Sequence, residues 1–111
     1  MKISTDLGAA DEGRIVALSG GRAILSTSQP VGVMRQAFER MNSAMQPTAD
    51  SCDVGTNGEC SVRTSTCVAG DWFTSDGAGL AVKTESGFAL GRILQNPVDG
   101  LALCVVSPIT L

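Results

Sequence analysis

The chain has 111 residues, a net charge of −3 and neither histidine nor tyrosine. This length predicts one domain that buries its own core without a metal or disulfide scaffold. The absence of histidine excludes Ser-His-Asp and Cys-His catalysis and most catalytic zinc sites. Because the eight Lys and Arg residues are scattered singly, no basic surface for a phosphate backbone is predicted. We therefore expect neither an enzyme nor a nucleic-acid-binding protein.

Charged residues make up only 17% of the chain, against roughly 25% in typical soluble domains. A small domain has a high surface-to-volume ratio, so its low charge favours a surface that is partly covered by a partner. Residues 1–8 lack the apolar stretch of a signal peptide, and no apolar run reaches the roughly 20 residues that span a bilayer. We expect no membrane association, and a protein that is made and kept in a cytosol-like compartment or reaches the outside by cell lysis rather than export.

The beginning of the chain predicts a flexible arm followed by a hairpin. Residues 1–11 are polar and lack periodicity, which indicates an arm that a partner must order, before a single domain at 12–111. Two β-type runs, residues 14–18 and 22–25, flank Ser19-Gly20-Gly21 and predict a β-hairpin. A further short strand is expected at 30–34.

The spacing of large apolar residues then changes to one typical of a helix. Met34, Phe38, Met41 and Met45 are spaced by four, three and four residues, which places them on one helical face. Pro47 ends the pattern. We therefore expect one inserted α-helix at about residues 34–46. Its apolar stripe either packs on the domain's own sheet or forms a contact surface for a partner.

The second half reads as short strands separated by glycine-rich turns. Asn57-Gly58 is a strong turn signal. Strands are expected at 80–83, 88–94 and 101–106, and the last of these is apolar on both faces. Short strands at this spacing predict a mainly β fold, a small antiparallel barrel or sandwich.

A weak internal repeat runs through the sequence. A glycine turn, an apolar strand, a polar turn and an apolar-Gly-apolar segment occur in residues 20–34 and again in residues 77–93. This order indicates a doubled hairpin design, in which the strand glycines allow close backbone approach.

The four cysteines do not form a metal-binding pattern. Their gaps are longer than the paired spacing of zinc sites, and no phosphate-binding loop is present, so no metal or cofactor is expected. Cys52 and Cys60 bracket the Asn57-Gly58 turn, which predicts that they face each other and can form a disulfide. Cys104 lies in an apolar strand and is expected in the core.

The order of short motifs resembles that of the small β-barrel capsid decoration, or cement, proteins of tailed bacteriophages. The resemblance covers residues 12–107 and departs from the family pattern between Arg35 and Thr66. It is carried by EGRIVAL at 12–18, PVGVM at 30–34, AGDWFTSDGAGLA at 69–81, GRIL at 91–94 and DGLALCVV at 99–106.

The resemblance implies a structural protein of the virion surface that binds the outside of the phage head and bridges neighbouring major capsid subunits. It brings no catalytic residues. We expect a homo-oligomer, a trimer or dimer at a capsid symmetry axis, with Met34, Phe38, Met41 and Met45 as possible capsid contacts. The alternative is a small ligand-binding or carrier β-barrel, which requires a lined cavity and a polar group within it.

Overall fold

In the computed structural model, which describes residues 1–26 and 29–111, the chain forms ten β-strands in two sheets. A short 3₁₀ helix at Ala9–Asp11 follows the first strand. The prediction of a mainly β fold is confirmed. The strands are β1 (Lys2–Thr5), β2 (Ile15–Ser19), β3 (Arg22–Leu25), β4 (Gly32–Met41), β5 (Pro47–Gly55), β6 (Gly58–Arg63), β7 (Trp72–Ser75), β8 (Ala81–Lys83), β9 (Phe88–Ile93) and β10 (Leu101–Thr110).

The two sheets have the same topology. Strands β1, β3, β2, β4 and β5 are hydrogen-bonded in that order into a closed barrel, and β6, β10, β9, β7 and β8 form the second sheet. In both, the strand that follows a hairpin pairs with the free side of the hairpin's first strand. Strand β4 pairs with β2 of the β2–β3 hairpin, and β9 pairs with β7 of the β7–β8 hairpin. We call residues 1–55 the N-terminal unit and residues 58–111 the C-terminal unit. The doubled design indicated by the sequence is confirmed.

A buried threonine at the same place in each unit shows how closely the two correspond. In the N-terminal unit β1 pairs in parallel with β3 at Thr5 and Ala23, and the Thr5 hydroxyl donates to the Ala23 carbonyl at 2.8 Å. In the C-terminal unit Thr64 bridges in parallel to Ala81 and donates to its carbonyl at 2.8 Å. Each hydroxyl also accepts a backbone N–H from the turn that follows. One local hydrogen-bond arrangement therefore closes both units.

The two units pack together through a shared core. The backbone N–H of Ile15 donates to the Gly79 carbonyl, and that of Arg63 donates to the Gly13 carbonyl, each at 2.7 Å. The core of the N-terminal unit is formed by Val16, Ala23, Met34, Cys52 and Val54. The core of the C-terminal unit includes Phe73, Leu90, Ile93 and Cys104, together with Ile15 and Val33 from the N-terminal unit.

The predicted helix is wrong, because this part of the chain forms β4, a turn over residues 42–46 and β5. The pairing of β4 with β5 shifts register twice, because Arg35 is an extra residue in β4 and Asp50 is an extra residue in β5. A bulge adds a residue and moves the following side chains to the opposite face of the strand. The extra residue in β4 places Phe38 on the opposite face of the strand from Met34, so their helix-like spacing does not put them on one face.

The predicted flexible arm is also wrong. Residues 1–11 contain β1, which pairs with β3 on one side and with β5 on the other and so closes the barrel. The terminal ammonium of Met1 donates to the Val54 carbonyl at 2.7 Å and to the Asp53 carboxylate at 2.9 Å. The start of the chain is therefore part of the barrel rather than an appendage. The hairpin predicted around Gly20 and Gly21 is confirmed as β2–β3.

Candidate functional site

The clearest difference between the two units is the length of the hairpin formed by β4 and β5. The path from Met34 to its cross-strand partner Val54 is nine residues longer than the equivalent path from Ile93 to Cys104. The extra residues carry the hairpin beyond the barrel, and residues 39–48 are all exposed. We call residues 39–48 the hairpin arm. It falls within the stretch where the sequence departs from the decoration-protein pattern.

The turn at the end of the hairpin arm is held by Asn42. Its side-chain oxygen accepts the backbone N–H groups of Ala44 at 2.9 Å and Gln46 at 3.0 Å. Met45 has a φ of 58°, a left-handed conformation for which glycine or asparagine is usual. Met41 and Met45 are 60% and 75% exposed. A polar turn thus presents two large apolar side chains to solvent.

The structure separates the four residues predicted as capsid contacts. Met34 is fully buried in the core of the N-terminal unit and has no surface with which to reach a partner. Phe38 is half-buried, with the Lys2 ammonium 5.2 Å from its ring centroid. Met41 and Met45 lie together at the hairpin arm and remain the predicted contacts.

The predicted pairing of Cys52 with Cys60 is not supported by the strand order, and all four cysteines are free thiols. Strands β5 and β6 belong to different sheets, so the Asn57-Gly58 turn does not join a hairpin. Cys52 is buried in β5 and lies opposite Ile3 on one side and Ala37 on the other. The structure therefore does not bring Cys52 opposite Cys60, as the turn had predicted.

Cys60 instead lies directly opposite Cys104 on the neighbouring strands β6 and β10. Their sulfur atoms are 3.7 Å apart. The sequence does not predict this pair, because the two residues are far apart in the chain and nothing local indicates that β6 pairs with β10. The signals in the sequence are that Cys104 lies in an apolar run and that Cys60 follows the Asn57-Gly58 turn.

The two thiols of this pair differ in environment. Cys104 is fully buried, whereas Cys60 is half-buried and lines a cavity of about 320 Å³ together with Arg35, Arg63 and Glu12. The contact with the Cys104 thiol and the charge of Arg35 lower the pKa of Cys60, against the effect of burial. The same contact and its burial raise the pKa of Cys104. Cys60 is therefore the thiol of the pair that ionises first.

The interiors of the two units are filled by side chains. Phe73, Leu90 and Ile93 are among the largest fully buried residues. An open, mainly apolar groove of about 490 Å³ lies between the units, lined by Gln29, Pro30, Val31, Thr74 and Phe88. Packed interiors are normal for barrels this small.

Within residues 1–26 and 29–111, no three His, Cys, Asp or Glu side chains are placed to hold a metal ion. Over the same described residues, no helix has the length and apolar character needed to cross a bilayer. No protein-family model, curated protein or solved structure matches this chain.

Proposed function

We propose that this chain is a structural protein of a tailed-phage virion, made in the host cytoplasm, that binds the outer surface of the head and bridges neighbouring major capsid subunits. The proposal assigns it no catalytic activity and no cofactor. It rests first on the order of sequence motifs, which resembles that of capsid decoration proteins across most of the chain.

The observation that carries the proposal is the hairpin arm with its two exposed methionines. The C-terminal unit has the same topology without this extension, so the fold itself does not require it. Unbranched, polarizable methionine side chains adapt to irregular apolar surfaces. The left-handed Met45 adds support, since a residue held in an uncommon backbone conformation with an exposed side chain suggests use rather than packing.

The alternative, a ligand-binding or carrier barrel, has less support. Such a protein needs an enclosed cavity with a polar group that fixes the ligand. The interiors of both units are occupied by their own side chains, and the apolar groove near Phe88 is open to solvent. This groove therefore does not favour binding of a small ligand over contact with another protein.

The repeat also supports the proposed homo-oligomer. In the N-terminal unit, the cross-strand pair Ile15 and Val33 is fully buried against the C-terminal unit. The equivalent pair in the C-terminal unit is Trp72 and Arg92, with the guanidinium 5.6 Å from the ring centroid. Arg92 is exposed and Trp72 only half-buried, so no segment within the described part of the chain covers this face. We include in the proposal that a second copy covers it. Trp72→Ala is then expected to lower the mass found by sedimentation equilibrium, and an unchanged mass contradicts this contact.

Co-sedimentation with expanded heads tests the proposed function. The heads are those of the phage whose genome carries the gene, stripped of the chain, and the comparison partner is the free major capsid subunit. A single chain stabilises little, but many copies that bind only the assembled shell shift its stability by mass action. We expect retention on expanded heads that persists in high salt, and no binding to the free subunit. Release at moderate salt or equal binding to the free subunit contradicts the proposal.

A matched pair of variants locates the contact. The arm variant carries Met41→Ser and Met45→Gly, and its control carries Val68→Ser and Val98→Ser. The control residues are also large, apolar and exposed, at 52% and 73%. Buried apolar anchors set residence time, so the arm variant is expected to dissociate at least about tenfold faster while the control behaves as wild type. Equal retention of both variants contradicts the role of the hairpin arm while leaving head binding itself intact.

A further inference from the structure

We propose that Cys60 and Cys104 are a redox modification site, at which a low-molecular-weight disulfide oxidises the two thiols to a reversible disulfide that fastens β6 to β10. This inference concerns the C-terminal unit and does not depend on head binding.

The strand register brings the two cysteines into disulfide geometry. They are directly opposed on antiparallel strands, and their sulfur atoms are 3.7 Å apart. Directly opposed residues in antiparallel pairs have Cα atoms about 4.5 to 5.5 Å apart, within the range that disulfides span. The bond therefore needs side-chain rotation rather than a change in strand pairing.

Comparison of the two units shows that the fold does not require cysteine at either position. The residues equivalent to Cys60 and Cys104 in the N-terminal unit are Met1 and Val54, whose backbones are hydrogen-bonded at 2.7 Å. Val54 fills the same core position with an aliphatic side chain and is buried. The pair of opposed thiols is thus a property of the C-terminal unit beyond what its topology demands.

An oxidant can reach one thiol of the pair. Cys60 lines the cavity of about 320 Å³ at the junction of the units, and Arg35 and Arg63 line it as well. Two guanidinium groups beside a thiol suit an anionic disulfide such as oxidised glutathione. The charge of Arg35 also favours the Cys60 thiolate, which is the nucleophile in disulfide exchange. The other two cysteines, Cys52 and Cys67, are buried at 0% and 1% exposure.

The reaction proceeds by two exchanges. The Cys60 thiolate attacks one sulfur of the oxidant, which forms a mixed disulfide and releases one thiolate. Cys104 then loses its proton and attacks the Cys60 sulfur, which forms the Cys60–Cys104 bond and releases the second thiolate. The protein loses two protons and two electrons, and the oxidant is reduced to two thiols.

Peptide mapping after treatment with oxidised glutathione tests the proposal directly. Digestion with trypsin and an aspartate-specific protease places each of the four cysteines on a separate peptide. We expect the intact mass to fall by two hydrogen atoms and one linkage to join peptides 53–63 and 99–111. No linkage, a persistent glutathione adduct on Cys60 or a linkage to Cys52 or Cys67 overturns the proposal.

Thermal unfolding tests whether the bond fastens the strands. The linkage closes a long loop, so oxidation is expected to raise the melting midpoint of the wild type by roughly 10 °C. Cys104→Val copies the residue found in the N-terminal unit and is expected to fold and to show no such shift. Cys52→Val keeps the opposed pair and is expected to retain the full shift. A linked protein whose melting midpoint equals that of the reduced protein contradicts the structural role.

Discussion

Replacing Gly91 by alanine isolates the close strand contact on which the C-terminal unit depends. A Cβ atom at Gly91 would overlap the Val105 carbonyl oxygen and lie 3.0 Å from the Cα atom of Val106. Both neighbours are backbone atoms of β10, so no side-chain rotation relieves the contact. Gly91 does not have a positive φ, so the cost of the substitution comes from crowding alone.

The size of the effect follows from the kind of atom that must move. Overpacking in a core lowers the free energy of unfolding by about 1–3 kcal/mol when side chains can adjust. Because Gly91→Ala must displace a paired strand instead, its loss is expected to be about 3 kcal/mol or more. For a chain of this size, 1 kcal/mol corresponds to roughly 4 °C, so the melting midpoint is expected to fall by about 12 °C. Gly32 occupies the equivalent position, where a Cβ would overlap the Gly55 carbonyl oxygen, and Gly32→Ala is expected to cost a similar amount.

Calorimetry and urea unfolding of the two variants measure these losses. Gly87→Ala is the control, because its Cβ would meet open space and its φ of 79° alone penalises alanine. The control is expected to lose about 1 kcal/mol. A loss below about 1 kcal/mol for Gly91→Ala, or no difference from the control, refutes the close-approach reasoning.

Three further predictions concern the turns, the thiols and the arm. Thr64→Val leaves the Ala81 carbonyl and the Cys67 N–H without their hydrogen-bond partner and is expected to lower the free energy of unfolding in urea by about 2 kcal/mol. Thr64→Ser is expected to recover most of this loss, and Thr5→Val is expected to lose a similar amount. An unchanged free energy of unfolding for Thr64→Val contradicts this prediction. Burial raises the pKa of Cys52 and Cys67 above 9.0, so the stability they contribute is complete below pH 9 and is lost as the pH rises further, because the unfolded thiols ionise first. The urea midpoint is therefore expected to be lower at about pH 10 than at about pH 8, and equal midpoints contradict it. Met45→Gly removes the side chain from a left-handed backbone conformation and is expected to leave the free energy of unfolding unchanged or raise it by about 1 kcal/mol. A clear fall in the melting midpoint would show instead that Met45 packs within the fold.

Local signals in the sequence predicted those parts of the fold that depend on local geometry. The β2–β3 hairpin follows from its Gly20-Gly21 turn, and most strands of the C-terminal unit follow from short apolar runs between turn residues. The repeated apolar-Gly-apolar segments predicted the close approaches at Gly32 and Gly91. Each of these features is set by residues near one another in the chain.

Features that depend on distant pairing were not predicted. Residues 1–11 have too few apolar side chains to show alternation, and β1 is recognisable only from its partners β3 and β5. The opposition of Cys60 and Cys104 likewise depends on which strand lies beside β6. The long hairpin was misread because the extra residue Arg35 interrupts the alternation that marks β4 as a strand.

Electron microscopy of expanded heads saturated with the chain tests the central proposal most directly. We expect added density on the outer surface, repeated over the junctions of neighbouring major capsid subunits, with the hairpin arm and its Met41 and Met45 against the shell. Heads that remain bare under saturating conditions contradict the proposed function. Density in which the arm points away from the shell contradicts the assignment of the contact.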